Sequence, residues 1–327
     1  MERKNSEPTF TDSLMTDLGG PRAQAFFATC QAQIPWERLA QPLQALFPRD
    51  AEQSRGGRPH WPLVMMLKIT LMQKWFNLSD PMIEEMLKDR ISFRRFVGLG
   101  WEERTPDETT ICVFRKRLLD SGLGVALFDQ SLAILSERGL VLKEGTLVDA
   151  TMIQSPRGHK REDGSRTADP CATTTAKHGR AYFGYKASIA TDKRAIIKDY
   201  VYDTARVSDH AHADQLMENE PSGGAVYADS GYMKKERSEG LEKRGVKACI
   251  AVHRVRGQKE LTAQQKAHNT AVARVRALVE HPFAWIKGMG GGRTRYRGMR
   301  RNALDFVLHM VGYNWKRSMS LACVRNG

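Results

Sequence analysis

The sequence predicts an all-helical N-terminal domain followed by an α/β domain, a mixed sheet flanked by helices. That prediction rests on three features of the chain. Residues 58–138 hold apolar runs at helical spacing with cap signals between them. After Gly145 the pattern changes to short β-type runs that alternate with helical ones. The formal charge of +14 is also divided unevenly: residues 1–143 carry 19 Lys and Arg against 18 Asp and Glu, whereas residues 144–327 carry 32 against 19. The predicted boundary therefore falls between 143 and 144, with domains 1–143 and 144–327.

In the first part, residues 1–57 contain short apolar pieces, AFFATCQAQI and PLQALF, which read as helices joined by Pro- and Gly-containing loops. LVMMLKITLMQKWF, entered through Pro62, reads as a mostly buried helix. Ser79 or Asp80 caps the next, with Met82, Ile83 and Met86 as its apolar positions. A third begins near Asp107, with Ile111, Phe114 and Leu118 inward and Arg115, Lys116 and Arg117 displayed. Three short helices ending on a basic one fit a helix-turn-helix-like DNA-binding unit and a plain dimerisation domain equally well. Val125–Arg138 is a further helix, ended by Gly139.

The second part opens with the strand Thr146–Ile153, which embeds Asp149 among Leu147, Val148 and Ile153. Residues 156–180 are polar and punctuated by Gly and Pro, so a mobile basic loop is expected. Tyr182–Thr191 and Ile196–Thr204 form a hairpin turning near Asp192, followed by a helix from Ser208-Asp209. The strand Ala225–Asp229, the helix Glu236–Arg244 and the strand Lys247–His253 lead to a long helix from about Thr262. On that helix Val272, Val275, Val279, Phe283 and Ile286 form one stripe, with Glu280 at its edge. Arg276 precedes Glu280 by one turn and Lys287 follows by two, although Pro282 can kink the helix between them. The helix ends at Gly288, Gly290, Gly291 and Gly292, and a basic run follows with Arg293, Arg295, Arg297, Arg300 and Arg301.

An aspartate inside an apolar strand is costly unless it is paired or holds a metal. Asp149, Asp229 and Glu280 can converge at one end of the sheet, where three carboxylates repel unless a divalent cation joins them. Oxygen-only ligands suit Mg²⁺ or Mn²⁺. Two such ions about 3.5–4 Å apart activate one oxygen and stabilise another in phosphoryl transfer. Glu280 as a plain surface partner of Arg276 is the competing reading. The basic excess points to a polyanion, nucleic acid first, with Arg293, Arg295 and Arg297 as phosphate contacts. No apolar run reaches the ~18 residues of a membrane span, and MERKNSEPTF lacks a secretory h-region. Five cysteines without a CxxC pair fit a reducing cytosol and no thiolate zinc site. His210 and His212, near Asp209 and Asp214, fit a helix surface better than a metal site.

Five pieces in order, LVDATMIQSP, KHGRAYFGYK, VSD, YADSGY and RVRALVEHPFAWIKG, resemble the DDE transposases of bacterial insertion sequences, specifically the insertion-sequence-five group, over nearly the whole chain. The resemblance implies an RNase H-like catalytic domain whose catalytic and metal-binding triad is Asp149, Asp229 and Glu280. It implies two Mg²⁺ or Mn²⁺ ions, no organic cofactor, and phosphate contacts near the scissile bond from Arg276 and Lys287. Lys177, His178 and Lys186 become candidates for further phosphate contacts. The signature's Tyr, three residues before the Arg, is Ala273 here. The implied partners are the inverted-repeat ends of an element, target DNA and at least one more copy of the chain, in the bacterial cytoplasm with no membrane. Two rivals remain: a metal-dependent nuclease without strand transfer, which a transfer assay separates, and a transposase-derived DNA-binding protein, against which three intact acids argue.

Overall fold

The structure is a computed structural model that describes residues 22–47, 60–159, 162, 167–177, 179–254 and 258–325. The predicted contact His178 lies outside the described residues. The chain divides into two compact units, Met1–Ile134 with Val307–Gly327, and Leu135–Phe306.

The first unit is helical: α1 (Arg22–Gln33), α2 (Trp36–Ala40), a 3₁₀ turn (Gln41–Leu46), α3 (Leu63–Phe76), α4 (Asp80–Asp89), α5 (Ile91–Val97), α6 (Glu108–Ser121) and most of α7 (Leu123–Glu137). α3 has the bounds expected of it and is buried on nearly every side, down to Lys68 and Lys74. Trp75 Nε1 donates to the Gly312 carbonyl at 2.9 Å, tying α3 to the C-terminal stretch of the chain's last helix. α4 starts as expected, Ser79 accepting from the Met82 amide at 3.3 Å. Its core positions are Ile83 and Leu87, one turn apart, while Met82 is 39% exposed, so the expected stripe is corrected by one position. Ile111, Phe114 and Leu118 of α6 are buried as predicted. Arg115 is not displayed: its guanidinium forks onto Asp80 at 2.7 and 2.5 Å. Lys116 and Arg117 stay exposed.

Inside this unit Lys68 Nζ donates to Gln31 Oε1 at 2.8 Å and to the Phe96 carbonyl at 2.9 Å. It also lies over the rings of Trp36 and Phe96, at 5.4 and 5.1 Å. Burial pulls its pKa from 10.5 down to about 8, against the attraction of Glu37.

The second unit is built on one six-stranded sheet: β1 (Thr146–Gln154), β2 (Thr173–Lys177), β3 (Arg180–Thr191), β4 (Ile197–Thr204), β5 (Ala225–Ala228) and β6 (Lys247–Ile250). β3 runs antiparallel to β1 on one edge and to β2 and β4 on the other. β5 and β6 add in parallel beyond β1. Four strands in antiparallel pairings continued by two parallel ones, with helices on both faces, form the RNase H-like arrangement. Helices α8 (Asp209–Glu218) and α9 (Lys235–Lys243) cover one face, where Val148, Ala190, Val226 and Ala228 pack with Ala213, Leu216, Met217 and Leu241. The opposite face receives α10 (Ala263–Arg276), which packs on β1, β5 and β6.

Two buried acids pin the sheet. Glu220 accepts from the amides of Gly145 (2.6 Å) and Ala225 (3.1 Å), holding the starts of β1 and β5 together. Asp192, fully buried at the β3–β4 turn, accepts from the amides of Leu142, Arg194 and Ile196 at 2.7, 2.9 and 2.8 Å. The hairpin expected on either side of it is present. Of the loose loop expected over 156–180, the described residues 167–177 are corrected. The β-branched run Thr173–Thr175 pairs as β2. Asp169 is buried and accepts from Tyr185 Oη (2.7 Å), the Gly298 amide (2.8 Å) and the Cys171 amide (3.0 Å). Gly184, at φ +151°, lies where β3 crosses from β2 to β4; a Cβ there would stand 2.1 Å from the Ile153 carbonyl oxygen.

α10 begins with a capping box between Thr262 and Gln265. It is followed by a 3₁₀ turn (Ala277–Val279), α11 (Glu280–Ile286), a wide turn (Lys287–Gly291) and α12 (Met299–Arg325). Pro282 has no amide for the Leu278 carbonyl and crowds it, so the tightening falls four residues before the proline. Among the described residues no single helix is long and apolar enough to cross a membrane.

The burial of Lys68 makes a pH prediction. Its folded pKa of about 8 lies below its unfolded value, so between those two values the unfolded chain holds a proton that the folded chain has released. Stability contributed at this site therefore rises with pH through that window, by on the order of 3 kcal/mol in total. Denaturant titrations from pH 7 to pH 10 should show the wild type gaining on Lys68→Met as pH rises; parallel curves would refute it.

Candidate active site at the ends of β1 and β5

The parallel register pairs Thr146 with Val226 and Leu147 with Tyr227. Continued by two residues, it brings Asp149 level with Asp229. Alternation along each strand puts both on the face of Leu147 and Tyr227, which is the α10 side. Two aspartates 80 positions apart in sequence thus become neighbours through strand parity alone.

Arg276, the last residue of α10, stands between them, with Nη2 3.5 Å from Asp149 Oδ2 and Nη1 3.8 Å from Asp229 Oδ1. Both distances exceed the 2.7–2.9 Å of a charge-assisted hydrogen bond. The guanidinium neutralises the pair without saturating it, and its buried Nε has no hydrogen-bond partner among the described residues. Asp229 is the more open acid, 54% exposed at its side chain. Its Oδ1 accepts the Ser230 amide at 2.6 Å. Behind the pair, Tyr232 is buried with its hydroxyl unpartnered among the described residues. Burial first, then the charges of Asp209 and Asp149, push its phenol well above the usual range.

Glu280 opens α11 and is exposed. The structure does not gather the three predicted acids into one group: among the described residues no three His, Cys, Asp or Glu side chains could together hold a metal ion. The Asp149–Asp229 pair nevertheless fits a hard divalent cation, because it offers carboxylate oxygens at a point already occupied by a loosely held positive charge.

The predicted basic contacts separate. Lys287 does not join Arg276 at the acids; it begins the wide turn and lines a cavity with Ala150, Met152 and Arg293. The glycine-rich segment beyond it joins the sheet, the Gln154 amide donating to the Gly292 carbonyl (3.0 Å) and the Thr294 amide to the Gln154 carbonyl (2.9 Å). That places Arg293 at the rim with its side chain exposed. Arg297 donates to the Ala168 carbonyl at 3.1 Å, and Arg295 also has a partner within the protein. Lys186 is engaged internally, 2.6 Å from Asp209 Oδ1 and 2.6 Å from the Val207 carbonyl, and only 11% exposed. Lys177 ends β2, paired with Arg180. His212 Nε2 lies 3.1 Å from Asp203 Oδ2 and His210 Nδ1 3.4 Å from Arg237 Nη1, so the two imidazoles serve different neighbours. Sequence reasoning missed Tyr232 and the Lys186–Asp209 pair, although the YADSGY, KHGRAYFGYK and VSD pieces contain these residues.

The family described as Transposase DDE domain matches residues 142–315, and that described as Transposase domain (DUF772) matches residues 20–117. Among solved structures, a piggyBac transposase synaptic complex with hairpin DNA is similar at 10% identity, over 91% of this chain and 74% of that one, with a TM-score of 0.48. A Mos1 transposase paired-end complex with left transposon end is similar at 10% identity, over 92% and 98% of the two chains, with a TM-score of 0.23. A Mos1 mariner paired end complex with Mn is similar at 12% identity, over 93% of each chain, with a TM-score of 0.21.

The loose bridge at Arg276 predicts a specific response to metal. Excess Mn²⁺ or Mg²⁺ should raise the melting temperature by mass action on the folded state, and Asp149→Asn should abolish that rise. Arg276→Gln should melt lower without metal and show a larger metal-dependent rise, because two uncompensated carboxylates then face the ion. Equal metal-dependent shifts in wild type and Asp149→Asn, read by calorimetry, would remove this pair as a metal site.

Proposed function

Because this chain belongs to the DDE-domain transposases, matched by that family over residues 142–315, we propose that it cuts the ends of a mobile DNA element and joins them to target DNA. The observation that carries this reading is the level pair Asp149 and Asp229, bridged by Arg276 at 3.5 and 3.8 Å. In this reading Asp149 and Asp229 hold divalent ions and Glu280 completes the second of two sites. Mg²⁺ or Mn²⁺ there would activate the attacking oxygen and stabilise the leaving one. Arg276, displaced from the acids, is in reach of a phosphate oxygen near the scissile bond, and Lys287 and Arg293 hold the backbone beyond it. Lys177 and His178 extend those contacts, whereas Lys186 is taken up by Asp209 and is left out of the DNA surface. No organic cofactor and no covalent protein–DNA link are needed.

The five sequence pieces favour the insertion-sequence-five group within the family, with Ala273 as the departure from its helix signature. Residues 1–143 would recognise the terminal inverted repeats or pair two copies of the chain, and residues 144–327 would carry the chemistry. Two ends must be held together, so a homodimer is the smallest working form. Its place of action is the bacterial cytoplasm, at the nucleoid.

Glu280→Gln is the discriminating variant. Gln keeps the shape and removes the charge, so cleavage of labelled inverted-repeat ends should fall by orders of magnitude in Mg²⁺ and in Mn²⁺. Gel-shift affinity should persist or tighten, since one negative charge facing the phosphates has gone. Near-normal cleavage by the variant would remove Glu280 from the site. Cleavage by the wild type without joining to a target plasmid would leave only the nuclease reading.

A further inference from the structure

A trough begins one residue past Asp149. Its first part, about 610 Å³, is lined by Ala150, Thr151, Met152, Lys287 and Arg293 among others. Its second part, about 400 Å³, is lined by Arg157, Arg180 and Phe183 among others. Both are lined by Gln154 and Tyr182, which join them into one path. Each part falls in the range of about 300–1,000 Å³ typical of cavities that take a small organic group.

The floor is a free strand edge. On the side of β1 away from β3, β5 pairs only at Thr146 and Leu147, and the glycine-rich segment pairs only at Gln154. Residues 150–152 between them line the trough without a strand partner on that side among the described residues.

The walls are cationic. Lys287, Arg293, Arg157 and Arg180 are all exposed, and among the described residues no Asp or Glu lines either part. Arg157 is aimed by a bond from Nη2 to the Ala181 carbonyl at 3.1 Å. The other three side chains make no hydrogen bond or ion pair among the described residues. Uncompensated cations along a concave path raise the local concentration of phosphate.

At the junction stands Tyr182, half-buried, with no ring partner among the described residues. Cations alone would serve a duplex as well as a single strand. A flat aromatic face between two pairs of cations adds something only an unstacked base can use, because in a duplex the base faces are covered by their neighbours.

We propose that this trough holds a single-stranded stretch of DNA leaving the acid pair, with one base stacked on Tyr182 and its phosphates on Lys287 and Arg293 to one side and Arg157 and Arg180 to the other. The inference rests on the reading that DNA is cut at Asp149 and Asp229. It adds that the DNA beside the cut is unpaired when the trough is filled.

The test uses the full chain without divalent ions, so no cleavage enters the result. The probe is a mixed-sequence single strand of about 12 nucleotides, within the site sizes seen for single-strand grooves, with its own duplex as comparison. Tyr182→Ala should weaken single-strand binding about 5- to 150-fold, the loss of one stacked base. Tyr182→Phe should bind within about twofold of wild type, and neither variant should change duplex affinity by more than that. Arg157→Gln with Arg180→Gln should lower the salt slope for the single strand by about 1.4. In the wild type, 2-aminopurine placed at successive positions should change its fluorescence on binding at one of them. Unchanged single-strand binding by Tyr182→Ala, equal losses for Ala and Phe, equal losses on single strand and duplex, or a silent 2-aminopurine series would each overturn the inference. The Glu280→Gln cleavage result is independent of all of these, so the two readings can fail separately.

Discussion

The guanidinium of Arg276 between Asp149 and Asp229 is the interaction on which the candidate site of the second unit depends. Like charges brought together near a protein surface repel, and the parallel register of β1 and β5 brings two carboxylates to one guanidinium. The fold answers with a helix whose final residue reaches that point. α10 is started sharply by its capping box and is disturbed only after Arg276, where Pro282 tightens the chain four residues back. The compensation is loose, at ion-pair rather than hydrogen-bond distance. A cation held that way can yield to another.

The remaining buried acids work differently. Asp192 is satisfied by main-chain amides, Glu220 by two amides, the Thr146 hydroxyl and the Lys198 ammonium at 3.7 Å, and Asp169 by two amides and a phenol. Burial pushes the Asp192 carboxyl upward while those amides pull it down. Glu220 fixes where β1 starts beside β5, and therefore the level at which Asp149 sits. Asp192 fixes where β3 turns back. Glu220 and Asp192 thus set the frame, whereas Asp149 and Asp229, each accepting the amide of the next residue, also share one guanidinium.

Much of this was legible in the sequence because it is local. Apolar periodicity located α3, α6, β1 and the hairpin, Ser79 was legible as a cap, and the helix starts near Asp107 and Thr262 fall where the structure has caps. What was not legible depends on distant partners. Arg115 looked displayed because Asp80 lies 35 residues away in sequence. Lys186 looked like a surface cation because Asp209 reaches it from another element. β2 was hidden because a polar Thr run becomes a strand only when β3 offers it an edge. Asp149 and Asp229 could be singled out as acids in apolar strands, but their common face follows from a register that no local pattern states. Glu280 was expected on one long helix with Arg276, whereas the turn Ala277–Val279 separates them and Glu280 opens α11 without joining the two aspartates in one group.

Gly184 carries a consequence for how this chain can change over time. β3 passes so close to β1 there that any side chain would strike the Ile153 carbonyl oxygen. The contact lies at the end of the same strand that presents Asp149. A mutation at this neutral, unreactive position would loosen the spacing between the two strands, and with it the trough and the aim of the acids. Charge changes near the acids alter one interaction at a time, whereas this position acts on all of them together. A drifting chain could therefore keep every charged residue around Asp149 and Asp229 and still lose their arrangement through a single methyl group.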